Sequence, residues 1–534
     1  MSLKLSRWHV LSFASILLIL LIFSVSIETY PAPSCDESGY GASAFALREH
    51  GQVDWSPLLP AGDPAGRDLN MATHGRLYAL GLATTFQLFG LSLWSARLFS
   101  MLGWGLAAVL TYKLGTRVFN RTVGVSAALL FATTTKSLLT AHTARPETWT
   151  TVAVLLVVWL SLNLVLVARA RLGYAFVLGV LLVLPGDFHG NGFAFTIAIS
   201  IALAVELGQR KKRWRELIAL GAGLLLALVL WVVIHLNATI VNLGQLLFYT
   251  TLADAGSSAG LWDRLVSFVE WLRLAFWVAG GPLSLLELLL GIAGLVAAVR
   301  HGAAARNWIT AIALGSLGIF ALVFSQRFIQ YAILWSPFWF VLGAAALHEF
   351  AGRLNARGIW NHSRGGIFAL ITGAILSMQL AGDLWLIYRF RDGEYRQTFE
   401  AITAAIPMEA RVVADMTWWW ALRDKRTFLA DEYFFLINES QSPALSSFLL
   451  PNETTILNVD TPTLMEHLTP EYIVLDRATG CYQEPGPEWF EVAAYVQEQC
   501  TLVEEIAGAW LDDVGPRTSQ FAQLSSVYNC IAAE

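Results

Sequence analysis

Residues 140–168 read TAHTARPETWTTVAVLLVVWLSLNLVLVA. From Thr150 to Ala168 no residue is charged. An apolar helix of roughly 20 residues is long enough to cross the hydrocarbon of a bilayer. The opening residues are of the opposite kind. His142, Arg145 and Glu147 crowd a short connection, and Pro146 fixes the turn into the span.

Similar apolar runs lie near 9–27, 93–117, 122–140, 172–186, 190–207, 217–236, 272–299, 307–325, 328–348 and 365–388. With 148–168 they predict about eleven spans. Composition agrees: 56% of residues are hydrophobic and only 14% charged, against roughly 25% charged in soluble domains. The formal net charge of -5 comes without a basic block large enough to suit nucleic acid. After about residue 390 the pattern changes. A helix-like stretch at 395–406 is followed by short strand-like runs at 411–415, 427–430 and 472–476, which predict a small α/β domain. The expectation is an α-helical polytopic membrane domain over 1–389 and an extracytoplasmic α/β domain over 390–534.

Basic residues set the orientation. Lys113, Arg117 and Arg121, then Arg169 and Arg171, then 210–215, then Arg300 and Arg306, then Arg353, Arg357 and Arg364 occupy alternate connections. Those connections, with the N-terminus, are read as cytoplasmic. The outer side then receives 28–92, 134–147, 187–192, 237–271, the turn at Gln326 and Arg327, and everything after 389. Cys35, Cys481, Cys500 and Cys530 all fall there, which suits an oxidising compartment. A bond within the tail, such as Cys481–Cys500, is one arrangement, and sequence does not choose among the pairings.

The long first outer loop suggests structure of its own. Residues 36–50 and 75–90 read as helices at the membrane interface. Charged groups at membrane depth mark function more often than elsewhere. SCDESGY, residues 34–40, places Asp36 and Glu37 just past the first span. The pair suits a base, a metal ligand or a helix N-terminal charge. Lys136, His142, Arg145 and Glu147 gather on the same predicted side. In SQRFIQYAILWSP, residues 325–337, Arg327 stands one helical turn from Tyr331. Anion binding and interfacial anchoring both suit that arginine. Weaker candidates are Arg67, His74 and Arg76 in the first loop, and Asp187, His189 and Asn191 in the turn DFHGNG. No zinc-ligand spacing, Walker loop, dinucleotide fingerprint or nucleophile elbow stands in a suitable context.

Together these places resemble the GT-C glycosyltransferases, in the branch of protein O-mannosyltransferases and lipid A aminoarabinose transferases. The likeness rests on Asp36-Glu37 with Tyr40, Ala44 and 48–51, on His74-Gly75 and Leu77-Tyr78, on Phe89-Gly90 and 96–98, on 144–147, and on Arg327 with Tyr331 and Pro337. It covers roughly residues 9–345. The resemblance implies a polyprenyl-phosphate sugar donor and transfer to a protein, lipid or glycan acceptor on the outer side. It implies Asp36 as general base, Glu37 and Glu147 as further catalytic carboxylates, and Arg145, Arg327, Tyr331, Lys136 and His74 at the donor phosphate. Family members often carry Asp where this chain has Glu147. No cofactor is required; a divalent metal held by Asp36, Glu37 and Glu147 is compatible with the residues but demanded by none. A transporter or flippase, or a noncatalytic assembly protein, are the competing readings. Neither a transporter's internal repeat nor its interrupted midplane helices stand out, apart from the pair Pro185–Gly186.

Overall fold

The computed structural model describes residues 7–53, 56–58, 76–166, 171–209, 213–234, 261–278, 281–301, 304–323, 329–357, 364–430, 465, 468–476, 487–508 and 523–531. Long apolar runs without breakers form the bundle. In chain order its helices are α1 (Arg7–Ser24), α2 (Cys35–His50), α3 (Arg76–Phe89), α4 (Leu93–Val118), α5 (Arg121–Ala132), α6 (Thr135–Ala141), α7 (Glu147–Leu166) and α8 (Leu172–Leu181). They continue as α9 (Leu184–Phe188), α10 (Gly192–Gln209), α11 (Trp214–Ile234), α12 (Leu261–Arg273), α13 (Gly281–His301), α14 (Ala304–Val323), α15 (Ser336–Ala356) and α16 (Arg364–Arg389). Among the described residues, seven helices are long and apolar enough to cross a membrane, or eight if α5 and α6 form one bent span. The chain is a multi-pass membrane protein. Leu225, Val229 and Val233 stand exposed along α11 at the four-residue spacing of one helix face, as lipid-facing positions do.

Three predicted spans are interrupted. The run 122–140 is two helices, α5 and α6, bent by 62°. Three consecutive threonines mark the break, and hydroxyls there compete with the backbone ladder. Thr133 Oγ1 donates to Leu129 O at 2.9 Å, and Thr134 Oγ1 caps α6 by accepting the Ser137 N–H at 3.1 Å. The run 172–186 divides into α8 and α9 next to Pro185. The run 328–348 opens as a 3-10 turn, Ile329–Leu334, before α15. Each interruption leaves polar groups near a helix end.

The two helices expected in the first loop are present as α2 and α3. Each stops at a glycine with positive φ, Gly51 at 73° and Gly90 at 83°, which a side chain would strain.

After α16 come α17 (Glu394–Ala405), β1 (Arg411–Ala414), a helical turn α18 (Trp419–Leu422), β2 (Thr427–Ala430), β3 (Tyr472–Asp476), α19 (Pro487–Gln499), β4 (Thr501–Gly508) and β5 (Gln523–Asn529). The sheet order is β2-β1-β3-β5-β4. β1 runs parallel to β2 and β3, while β5 is antiparallel to β3 and β4. The sequence reading found β1 to β3 and missed β4 and β5. β4 ends the sheet, and its residues 501–505 are exposed, so its sequence lacks a fully apolar run. Thr501 pairs with Asn529 in the ladder, so Cys500 and Cys530 flank that pair and form a disulfide. That bond replaces the Cys481–Cys500 arrangement offered from sequence. Cys35 is also disulfide-bonded.

The sheet domain is packed onto the first loop. Trp418, Trp419 and Trp420 share one core with Tyr40, Ala42 and Ala44 of α2 and with Tyr78 and Leu82 of α3. Ser38 Oγ donates to Thr417 O at 3.5 Å, Arg423 Nη2 donates to Leu91 O at 3.3 Å, and the Tyr395 hydroxyl donates to Glu28 O. A Cβ at Gly41 would lie 2.6 Å from the Trp420 ring, so only glycine admits this contact. The start of α2, with its two acidic residues, is therefore gripped between the bundle and the sheet domain.

Candidate functional site

Asp36 and Glu37 occupy the first turn of α2, where a helix N-terminus favours negative charge. Their surroundings diverge. Glu37 is fully buried. Arg97 of α4 meets it with two parallel bonds, Nε to Oε1 and Nη2 to Oε2, both 2.9 Å. The same carboxylate accepts the Ala144 N–H at 2.7 Å and the Ser34 N–H at 3.1 Å. Arg97 spends its remaining edge on Ile27 O at 3.0 Å. This fork joins α2, α4 and the α6–α7 connection at one point.

Asp36 is the accessible member, with 37% of its side chain exposed. Its Oδ2 accepts a bond from Arg145 Nη1. Arg145 is buried between two carboxylates. Its Nε and Nη2 donate to Glu147 Oε1 at 2.9 and 2.7 Å, which leaves Nη1 turned toward Asp36. Burial works against the Arg145 charge, but Glu147 and Tyr331 together more than offset it and hold the guanidinium protonated. Glu147 Oε2 is buried and has no hydrogen-bond partner among the described residues.

Tyr331, in the 3-10 turn ahead of α15, hydrogen-bonds both Arg145 and Asn191. Its ring lies 5.3 Å from the His189 ring. Thus the turn DFHGNG, rated a weaker candidate from sequence, joins the cluster. The Asn191 N–H donates to His189 Nδ1 at 3.2 Å. Burial, and secondarily Arg145, push the His189 pKa down to about 3, so the ring is neutral and carries its proton on Nε2. His142 is likewise pushed down to about 3 by burial, and its Nδ1 donates to Tyr30 O at 2.9 Å. Tyr40 and Tyr78 stack edge to face at 5.4 Å, and burial, then the charge of Glu147, raises the Tyr40 pKa. The sequence signal for Tyr40 and Tyr78 was only the resemblance; spacing alone gave none.

The cluster thus brings together Asp36, Arg145, Glu147 and Tyr331 from the sequence candidates. Lys136 is turned elsewhere: its Nζ is 2.6 Å from Glu287 Oε2 and 3.6 Å from the centre of the Phe276 ring. It is paired with Glu287 there, whereas the resemblance implies a place at the donor phosphate. His74 and Arg327, together with Arg67, lie outside the described residues. The compatible divalent metal does not fit the donor set as arranged. Glu37 is fully engaged by Arg97 and two backbone N–H groups, and the Arg145 guanidinium stands between Asp36 and Glu147. No group of three or more His, Cys, Asp or Glu suited to a metal occurs among the described residues.

A family model described as dolichyl-phosphate-mannose-protein mannosyltransferase matches residues 73–236. ArnT from Cupriavidus metallidurans, solved bound to undecaprenyl phosphate, superposes with a TM-score of 0.62 at 14% identity, over 98% of this chain and 98% of that one. The chain shares the fold of that protein. The archaeal oligosaccharyltransferase AglB from Archaeoglobus fulgidus, solved with an inhibitory peptide and a dolichol phosphate, aligns more loosely. Its TM-score is 0.44 at 15% identity, over 87% of this chain and 69% of that one. No curated protein matches the chain by sequence. The matched segment 73–236 contains Arg145, Glu147, His189 and Asn191, whereas Asp36 and Tyr331 lie outside it.

Proposed function

We propose that this protein transfers a sugar from a polyprenyl-phosphate-linked donor to an acceptor on the extracytoplasmic side, with inversion at the anomeric carbon. One observation carries the reading: a buried arginine is shared between an accessible carboxylate, Asp36, and a buried one, Glu147, with Tyr331 on the same guanidinium. The ArnT-like fold, and the undecaprenyl phosphate bound by that protein, support the choice of donor.

The chemistry follows from the needs of the reaction. A lipid phosphate leaves as an anion, so the site must hold growing negative charge. Glu147 fixes two arms of Arg145, and the remaining Nη1 faces Asp36. In this reading an arriving donor phosphate takes over Nη1, with Tyr331 beside it. Asp36 is then released from its partner and accepts the proton of the acceptor hydroxyl. The acceptor oxygen attacks the anomeric carbon as the bond to phosphate breaks, and the lipid phosphate departs with the bonding pair. Glu37 carries no proton in this scheme; with Arg97 it holds α2 and the backbone at Ala144 in place. Arg327 and His74 are proposed as further phosphate contacts, and the membrane domain is taken to end at residue 389.

The test is Asp36→Asn in membranes supplied with polyprenyl-phosphate sugars, with free polyprenyl phosphate followed by mass spectrometry. Loss of sugar-dependent release with normal insertion is expected. Full release by the variant removes Asp36 as base, and no release by the unaltered protein with any such donor removes the transferase reading.

A further inference from the structure

A second buried polar assembly is not used by the proposed chemistry. Glu287, on α13, is buried. Its Oε2 receives Lys136 Nζ from α6 at 2.6 Å, and its Oε1 receives Ser336 Oγ from the start of α15 at 2.7 Å. Both Lys136 and Ser336 are themselves buried. An ion pair within an apolar bundle is costly to bury, and removing one partner strands the other charge. Packing alone would be served more simply by apolar side chains.

Its position suggests a use. Nine positions after Lys136 stands Arg145, and five positions before Ser336 stands Tyr331. Arg145 and Tyr331 are hydrogen-bonded to each other. The connections form a closed circuit: Tyr331 to Ser336 along the chain, across Glu287 to Lys136, along α6 to Arg145, and back to Tyr331. One carboxylate thus ties together the two short chain segments that carry Tyr331 and Arg145.

We propose that Lys136 and Glu287 are positioning residues that set the register between Arg145 and Tyr331, and so the shape of the phosphate-binding half of the site. The functional part of this inference rests on the glycosyltransferase reading; the geometric part stands alone. Displacements of about 1 Å at a reacting centre cost on the order of a hundredfold in rate.

The test pairs a spectroscopic readout with kinetics. 3-Fluorotyrosine in place of Tyr331 gives a fluorine resonance that reports the contact with Arg145 without any donor. The charge-free double variant K136M/E287M removes the tie while leaving no stranded charge. The control is R306M/E349M, which removes a half-buried pair joining α14 to α15 away from the cluster. A displaced or broadened resonance is expected in K136M/E287M and an unchanged one in the control. Turnover should fall by roughly ten- to a hundredfold, with the acceptor KM nearly unchanged. If K136M/E287M does not fold, S336A, which keeps both charges, must displace the resonance. A wild-type resonance in the folded double variant, or in S336A where the double variant fails, overturns the proposal. A displaced resonance in a protein that transfers no sugar upholds the register and overturns only the enzymatic reading.

Discussion

Asp36 and Arg145 are 109 positions apart in sequence and share a hydrogen bond at the centre of the cluster. Neither helix could present this pair alone. Asp36 is brought by the first turn of α2, and Arg145 by the connection that Pro146 turns into α7. The guanidinium has a fixed fork: two arms go to Glu147 and one to Asp36. A lysine has no such fork. Arg145→Lys is therefore expected to insert normally and to lose about a hundredfold in turnover. Steady-state kinetics on purified protein in lipid nanodiscs checks it, and a variant within threefold of wild type would falsify the assigned role.

Glu147 Oε1 accepts both Arg145 bonds, and Oε2 is unpartnered among the described residues. Glu147→Gln keeps the shape but loses the charge that sustains the Arg145 guanidinium in its buried place. A drop of roughly ten- to a hundredfold in turnover is expected, with a smaller change in thermal midpoint than removal of Arg145 brings. Glu147→Asp withdraws the carboxylate by one methylene and should retain more activity than the amide. The reverse ranking of Asp and Gln would show that reach, not charge, matters.

Much of this arrangement was legible in the sequence, for reasons that differ residue by residue. The apolar runs declared themselves because a bilayer demands length and apolarity, which composition records directly. The acidic pair at Asp36 and the knot at Arg145 stood out because charge is rare beside such runs. The split of labour within Asp36-Glu37 was not legible: neighbours on a helix differ by about 100° in direction, and only the fold shows Arg97 beneath one of them. The pairing of Lys136 with Glu287 spans 151 positions and leaves no local signature. β4 and β5 escaped for a different reason. Residues 501–505 of β4 are exposed, and β5 buries two serines, Ser525 and Ser526, so neither strand carries a continuous apolar run.

The Glu37–Arg97 fork predicts a stability effect. Both side chains are fully buried. Arg97→Met leaves the Glu37 carboxylate without its cation, and such losses cost about 3–5 kcal/mol. A lower thermal midpoint is expected, with activity lost in step with folded protein. An Arg97→Met variant with a wild-type midpoint and no activity would instead place Arg97 in the chemistry.

Gly41 offers a test of the grip exerted by the sheet domain. Its missing side chain is filled by the rings of Trp419 and Trp420. Gly41→Val forces those rings back and should loosen the sheet domain from α2. Limited proteolysis should then cut faster after α16, and transfer should fall although no residue of the cluster has changed. Equal proteolysis rates and full activity would mean that the rings yield without cost.

Two histidines make stability depend on pH. His142 and His189 are both neutral and buried, with pKa pushed down to about 3 by burial from an ordinary value of 6.5. The unfolded chain binds protons at both rings below about pH 6.5, whereas the folded one does not. Unfolding therefore takes up protons, and stability falls as pH drops from 6.5 toward 3. Each ring contributes about 1.4 kcal/mol per pH unit once the unfolded form is fully protonated. Above pH 7 neither ring titrates in either state, so this contribution is flat. Thermal midpoints between pH 7.5 and 5 should decline, and His142→Asn with His189→Asn should flatten the decline even if it lowers the midpoint throughout. Parallel slopes for the variant and the unaltered protein would show that carboxylates, not these rings, control acid sensitivity.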